Sequence, residues 1–390
     1  MQKKTLLTAA ITLASAQTAI YSTTAQAEGV ADLVDNAKPI INLNLRYETN
    51  DTDDGVKDSA SAFTLRSRLG VQFGSYKGFT GLYEVEDSQA FVSEYTPEDA
   101  TYDTVADPEN TEVNRAQIQY SSEGFTAIVG RQRIILDNAR FVGNVGWRQN
   151  EQTFDAAKLS YKMDDLTLQY AYIDQVNGIL RGFDADVTDH LINASYSGLP
   201  IGTVTAFAYL LEDDDTEKTD DTVGLSLKGK QGMVMYSGTY AQQSVEAGTN
   251  EFEATYMALE LGAKLGPAKV FIGQETLGSD DGAYGFQTSL ATKHAFNGWA
   301  DKFLGTPTTG LVDTYLKAVT KVEGVKLLGM YHTYEADDGG ADQGSELNLL
   351  AVKKINKQFT AGIKYASYSA GDTGVDTDKV WVWVSAKLGS

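Results

Sequence analysis

The chain has 390 residues, a formal net charge of −21, no cysteine and three histidines, so disulfides, thiolate metal sites and cysteine nucleophiles are excluded, and a nucleic-acid partner finds no basic surface. Its 37 glycines and 21 tyrosines argue against a helix bundle, and beyond residue 27 no apolar run approaches the roughly 18 residues of a transmembrane helix. Any membrane role must therefore rest on strands.

The chain opens with Lys3 and Lys4, a weakly apolar run from Leu6 to Ile20, and Ala25-Gln26-Ala27 before Glu28, the layout of a secretory signal peptide over residues 1–27. Losing Lys3 and Lys4 takes the charge from −21 to −23. Residues 28–390 are expected to form a single unit.

From residue 41 onward, apolar and polar residues alternate with period 2, the signature of strands with one apolar and one polar face. Ile41, Leu43, Leu45 and Tyr47 interleave with Asn42, Asn44, Arg46 and Glu48; Phe63, Leu65, Leu69 and Val71 interleave with Thr64, Arg66, Arg68 and Gln72. Further segments follow at 79–88, 113–120, 125–133, 154–162, 166–176, 189–197, 203–212, 222–229, 233–242, 253–262, 268–276, 311–320, 325–334, 345–353, 359–368 and 379–388. Most are near the ~9–11 residues that cross a bilayer when tilted. Short connectors such as "SYKG", "SSEG" and "KVEG" alternate with long acidic ones such as "YTPEDATYDTVADPENTE" and "EADDGGADQG". A soluble sandwich has no reason for that alternation, whereas an outer-membrane barrel has short periplasmic turns and long outer loops. Phe73, Phe79, Tyr120, Phe125, Tyr161, Tyr196 and Phe359 border the short turns on the apolar parity, as an interfacial girdle would. The expected fold is all-β: a transmembrane antiparallel up-and-down barrel of about 18 strands in a Gram-negative outer membrane, in contact with its lipid and lipopolysaccharide.

If the apolar parity faces lipid, Arg46, Arg66, Arg68, Glu84, Glu86, Arg115, Gln117, Gln119 and Lys158 face the lumen. Arg66/Arg68 and Glu84/Glu86 on adjacent strands either set a field across the lumen or pair with each other. The stretch "RQRIILDNARFVGNVGWRQ", 131–149, concentrates Arg131, Arg133, Arg140 and Arg148 among Phe141, Trp147 and branched aliphatics. It is too apolar for a freely solvated loop. Folded into the lumen, it would bury Phe141, Val142, Val145 and Trp147 and present Arg140, Arg148 and Asn150 to the pore. Guanidinium groups grip carboxylates bidentately, and basic constrictions favour anions. The competing reading is a structural loop whose arginines pair with Asp137, Glu151 or Asp155.

"GRQRIILDNARFVGNVGWRQNEQTFDA" at 130–156 and "HAFNGWADKFLGTP" at 294–307 resemble signature stretches of the alginate-export family of outer-membrane porins, as more loosely do "LRSRLG" and "YAYIDQVN". The resemblance implies a monomeric 18-stranded barrel with an arginine-rich constriction that passes an anionic polysaccharide of uronic acids. It makes Arg131, Arg133 and Arg148 candidate pore-lining bases, with Arg66, Arg68 and Arg115 next. It does not fix the solute or the direction of flux. A monomer is expected, with a trimer left open.

In the longest loop, 278–310, Phe296, Trp299, Phe303 and Leu304 are spaced as one amphipathic turn of helix opening near Asn297. That turn would gate the lumen or, the favoured reading, cap the barrel rim. "DTDDG" at 51–55 and "DDDTE" at 213–217 do not complete an EF-hand and read as solvated acidic loops, so no metal or cofactor is expected. A barrel hydrolase would need a serine, a histidine base and an orienting acid; no G-x-S-x-G elbow occurs, and no catalytic residue is assigned. A plugged adhesin or structural barrel is the stronger rival. The expected function is a passive channel for hydrophilic, anionic or saccharide solutes.

Overall fold

A computed structural model describes residues 28–180 and 182–388; the expected signal peptide, 1–27, lies outside them. After a helix, α1 (Glu28–Asp35), the strands are β1 (Lys38–Thr52), β2 (Ala60–Gln72), β3 (Phe79–Glu94), β4 (Asn110–Ser122), β5 (Phe125–Gln132), β6 (Thr153–Met163), β7 (Leu166–Asn177), β8 (Ala185–Leu199), β9 (Gly202–Asp213) and β10 (Lys218–Gln231). They continue with β11 (Val234–Ala247), β12 (Asn250–Leu265), β13 (Ala268–Leu277), β14 (Ser279–Asp280), β15 (Tyr284–Gly285), β16 (Leu311–Val322), β17 (Val325–Glu335), β18 (Asp342–Lys354), β19 (Phe359–Ser369) and β20 (Thr377–Leu388).

All but β14 and β15, a two-residue ladder inside a loop, belong to one 18-stranded antiparallel sheet. Each strand pairs with its sequence neighbours, and β1 pairs along its length with both β2 and β20, which closes the cylinder. Closure is what lipid demands, because an open edge would leave peptide groups with no hydrogen-bond partner. The eighteen predicted segments are the eighteen barrel strands. Except that 125–133 stops at Gln132 and 233–242 starts at Val234, their ends reach or pass those of the alternation, as where 253–262 becomes Asn250–Leu265, because backbone pairing continues past the lipid band into polar residues.

The parity follows the sequence. Ile118 and Leu259 point outward and are 64% and 58% exposed, while Arg46 and Glu84 point inward and are 1% exposed each. A basic residue on the outward face at mid-membrane would cost about 2–4 kcal/mol. At the inner turns Phe79, Tyr161, Tyr196 and Phe359 are exposed outward, and Phe79 packs on Tyr120 with ring centroids 4.8 Å apart. Helix α1 was not foreseen. It docks against the β2–β3 turn, where the Gly74 N–H donates to Leu33 O at 2.9 Å; a Cβ on Gly74 would come within 2.3 Å of Asp32 O.

Candidate functional site

The interior is built on two contrasting walls. From β6 to β13 the outer half carries an apolar cluster, set among the inward carboxylates Asp189, Asp220 and Glu275. Phe141, on the loop after β5, packs against Phe207 and Tyr209 of β9, Tyr256 of β12 and Phe286 of the long loop before β16, at centroid separations of 5.0, 6.1, 5.1 and 6.2 Å. Ile134, Leu136, Val142 and Leu290 complete this cluster. The two loops, 133–152 and 278–310, thus fold into the barrel and are laced together: the Gly143 N–H donates to Leu290 O at 2.9 Å and the Thr292 N–H to Ala139 O at 3.0 Å.

The facing wall, β1 to β5, is charged. Arg46, Arg66, Arg68, Glu84 and Glu86 alternate inward, and a bulge in the β3–β4 ladder adds to them. There Glu84 pairs with Arg115 and Val85 with Val113, so Asn114 is an extra residue. Both Asn114 and Arg115 reach Glu84, at 2.8 Å and 2.9 Å. Arg68 pairs with Glu86, and Arg133 with Glu151 and Glu84. Arg46 is bonded to Asp107, carried in by the β3–β4 loop, and donates to Trp147 O at 2.6 Å. Arg66 differs: it donates to Asn42 Oδ1 at 2.7 Å, its Nε has no partner, and among the described residues no carboxylate lies within ion-pair distance.

Between the walls lies an aromatic cage. Lys364 Nζ, from β19, is 3.9 Å from the Trp299 ring centroid, 4.3 Å from Trp147 and 5.2 Å from Trp381. It also stands 2.6 Å from His294 Nε2, while His294 Nδ1 is 2.6 Å from Asp301 Oδ1. These partners assign the tautomer: Nδ1 donates to the Asp301 carboxylate and Nε2 accepts from the ammonium. A second ring proton would point at Lys364. Burial, with Lys364 and Arg148 close by, therefore holds the His294 pKa down to about 3, against the opposing pull of Asp301. Burial alone would raise Asp301, yet its cationic surroundings, Lys379 and Arg148 among them, hold its carboxyl well below the usual range.

The sequence-predicted candidates separate on these walls. Arg66, Arg68, Arg115, Glu84 and Glu86 come together in the lumen as parity required, and Arg133 joins them because the chain leaves β5 at Gln132 and turns inward. The two rows do not set a field across the lumen; they pair locally, because Arg68 is in register with Glu86 while Glu84 is taken by Arg115 and Arg133. Arg140 and Arg148 are inside but are not free for a solute, because each is committed to carboxylates of the protein. Arg140 binds Glu275 at 2.6 Å and Asn297 at 2.9 Å; Arg148 binds Glu48 and Asp301, each at 2.9 Å. In a packed interior a guanidinium within reach of carboxylates pairs with them, since an unpaired buried charge costs several kcal/mol.

Arg131 must be corrected. It shares the outward parity of Val129 and grips Asp155 through two bonds of 2.8 Å, so it lines the outside of the rim and not the lumen. The helical turn predicted around Phe296, Trp299 and Phe303 does not form. Asn297 and Asp301 adopt φ of 53° and 63° on either side of Trp299, Gly298 has φ 88°, and a single 3-10 turn at Lys293–Ala295 precedes them. Nor does this segment merely cap the rim: the Ala300 N–H donates to Glu346 on the lumen wall at 2.8 Å, and Trp299 closes the Lys364 cage. Sequence reasoning passed over Glu48, Glu275, Asp301, Lys364 and Lys379. Lys364 was findable as a charge at mid-strand on the inward parity, set between Gly362 and Ala366.

A family model described as alginate export matches residues 40–270. Solved structures that superpose on the barrel include Pseudomonas aeruginosa OccK9 (OpdG), with TM-score 0.71 and 14% identity over 91% of this chain and 100% of that one. Acinetobacter baumannii OccAB4 gives 0.70 and 13% over 90% and 97%, and a BenF-like porin from Pseudomonas fluorescens Pf-5 gives 0.71 and 12% over 91% and 99%. At these identities the likeness is one of fold. No curated protein matches the sequence.

Proposed function

The chain belongs to the alginate export family, and from that premise we propose that this outer-membrane barrel is a passive channel for hydrophilic anions, with uronic-acid saccharides as the preferred solutes. The observation that carries the reading is Arg66. It is a lumen-facing guanidinium, 6% exposed, with no carboxylate in ion-pair distance, in line with Arg68 and beside Arg46, and its Nε has no hydrogen-bond partner. A uronate carboxylate fits that guanidinium, and the half-buried Trp383 on β20 offers a face for a sugar ring. Arg133 and Arg115, the least buried arginines of the charged wall, extend the path. Arg131 is not part of it.

Proteoliposome swelling tests the proposal. Swelling in galacturonate faster than in glucose supports it; equal rates, or faster swelling in glucosamine, would reject the anion preference. A plugged barrel is the second reading, favoured by the tethering of loop 133–152 to opposite walls through Arg140–Glu275 on β13 and Arg148–Glu48 on β1. It predicts no swelling in any solute.

A further inference from the structure

Charge changes sign along the barrel axis. At the inner mouth Lys264, Lys269, Lys321, Lys326, Lys354 and Lys387 occupy lumen-parity positions at the ends of β12, β13, β16, β17, β18 and β20, and all are exposed. Among the described residues none of these six is within ion-pair distance of a carboxylate; Glu260, the acid nearest to them in the ladder, is taken by Lys317 and Tyr315. The register makes the crowding sharper. Lys264 stands directly opposite Lys269, and Lys321 directly opposite Lys326. Like charges in directly opposed positions destabilise an antiparallel pair. Two such pairs on neighbouring hairpins, with no carboxylate in ion-pair distance even though Glu323 lies in the turn between Lys321 and Lys326, work against folding.

The other end of the same strands is the reverse. β12 begins at the outer rim with Glu251 opposite Glu246, on the outward parity, and ends with Lys264 opposite Lys269, on the inward parity. The two pairs are roughly 40 Å apart along the strand at about 3.3 Å per residue. Near 0.1 M salt, where charges are screened beyond ~10 Å, each mouth therefore acts on its own bath.

We propose that the lysine arc of β12, β13, β16, β17, β18 and β20 is an entry site for a polyanionic chain approaching from the periplasmic side, gathering it before it meets the arginines of the constriction. This rests on the anion-channel reading above and adds to it a sided site made of different residues. A linear uronate oligomer is the occupant that fits, since carboxylates repeated along a flexible chain can answer several exposed ammonium groups at once. Focusing by a mouth of one sign raises association rates by about 10 to 10³, and the gain collapses as salt rises.

Single-channel recording with a hexameric oligogalacturonate added to one chamber tests the site, comparing the native protein with Lys264→Gln/Lys269→Gln/Lys321→Gln/Lys326→Gln. Orientation is fixed by Asp54→Cys in the exposed β1–β2 loop and a bulky thiol reagent in one chamber, since the chain has no other cysteine. Folding of the variant is checked by heat-dependent gel mobility. The expected result at 0.1 M salt is a blocking frequency at least about 10-fold higher from the inner than the outer side. That excess should vanish at 1 M salt and in the quadruple variant, with anion selectivity retained. Equal blocking from both sides, or an excess that survives the four substitutions, overturns the entry site while leaving the channel reading intact. Absence of block from either side removes the channel reading and the entry site together.

Discussion

Trp147 lies flat on His294, with ring centroids 5.2 Å apart and 9° between the planes. One ring belongs to loop 133–152 and the other to loop 278–310, so the stack joins the two infolded segments at the point where Lys364 and Trp381 receive them. Trp147→Ala should loosen the two loops where they meet the wall, at the lower end of the about 3–5 kcal/mol typical of such truncations, because the indole is only half-buried. The expected readout is a larger and noisier single-channel current. Unchanged conductance and noise would mean that the loops do not set the bore.

The four tryptophans of the chain, Trp147, Trp299, Trp381 and Trp383, all lie in or beside this cage, so intrinsic fluorescence reports on it. The His294 pKa falls from its ordinary 6.5 to about 3 on folding. With the native value depressed, the stabilisation is fully present above pH 6.5 and is lost as pH falls towards 3, by at most about 1.4 kcal/mol per unit. Asp301 is depressed in the same sense and gives way only below its ordinary 3.8. Acidification from pH 7 to 4 should red-shift the tryptophan emission, and His294→Phe should flatten that response. An emission maximum constant down to pH 3 in the native protein contradicts the assignment.

Arg66→Gln and Arg148→Gln remove the same charge with opposite consequences. Arg66 has no carboxylate to orphan, so its loss should lower the anion-to-cation permeability ratio while leaving thermal stability nearly unchanged. Arg148→Gln takes one cation from both Glu48 and Asp301, which keep Arg46 and Lys379, and should cost about 3 kcal/mol, the low end for breaking a buried pair. Thermal melts in detergent, paired with reversal potentials, check both. Equal destabilisation by the two variants would show that Arg66 is a structural ion after all.

Arg131→Gln should leave ion selectivity untouched, because the side chain lies outside the barrel wall against Asp155. A change in reversal potential on this substitution would place Arg131 in the ion path.

The strands, their parity and the inner turns were legible in the sequence, because lipid on one face and water on the other impose a strict period of 2 on residues such as Leu43–Tyr47 and Phe63–Val71. The loops were not. At the end of β5 the alternation dissolves into Ile134, Ile135 and Leu136, so nothing local told Arg131 from Arg133, although one faces lipid and the other the lumen. The spacing of Phe296, Trp299 and Phe303 suggested a helix, but a segment threaded into a barrel takes its conformation from the wall, and Glu346 captures its backbone N–H groups where a helix would have used them. Glu275 and Asp301, partners of Arg140 and Arg148, lie more than a hundred residues away in sequence, and only closure of the barrel brings them into reach.

In the proposed channel the Arg66 guanidinium, with no carboxylate in ion-pair distance, selects what crosses the membrane. Reversal potential across a planar bilayer under a tenfold KCl gradient tests it most directly, on the native protein and on Arg66→Gln. The account predicts an anion-selective potential that moves towards zero in the variant. A cation-selective potential, or one that Arg66→Gln does not shift, contradicts it.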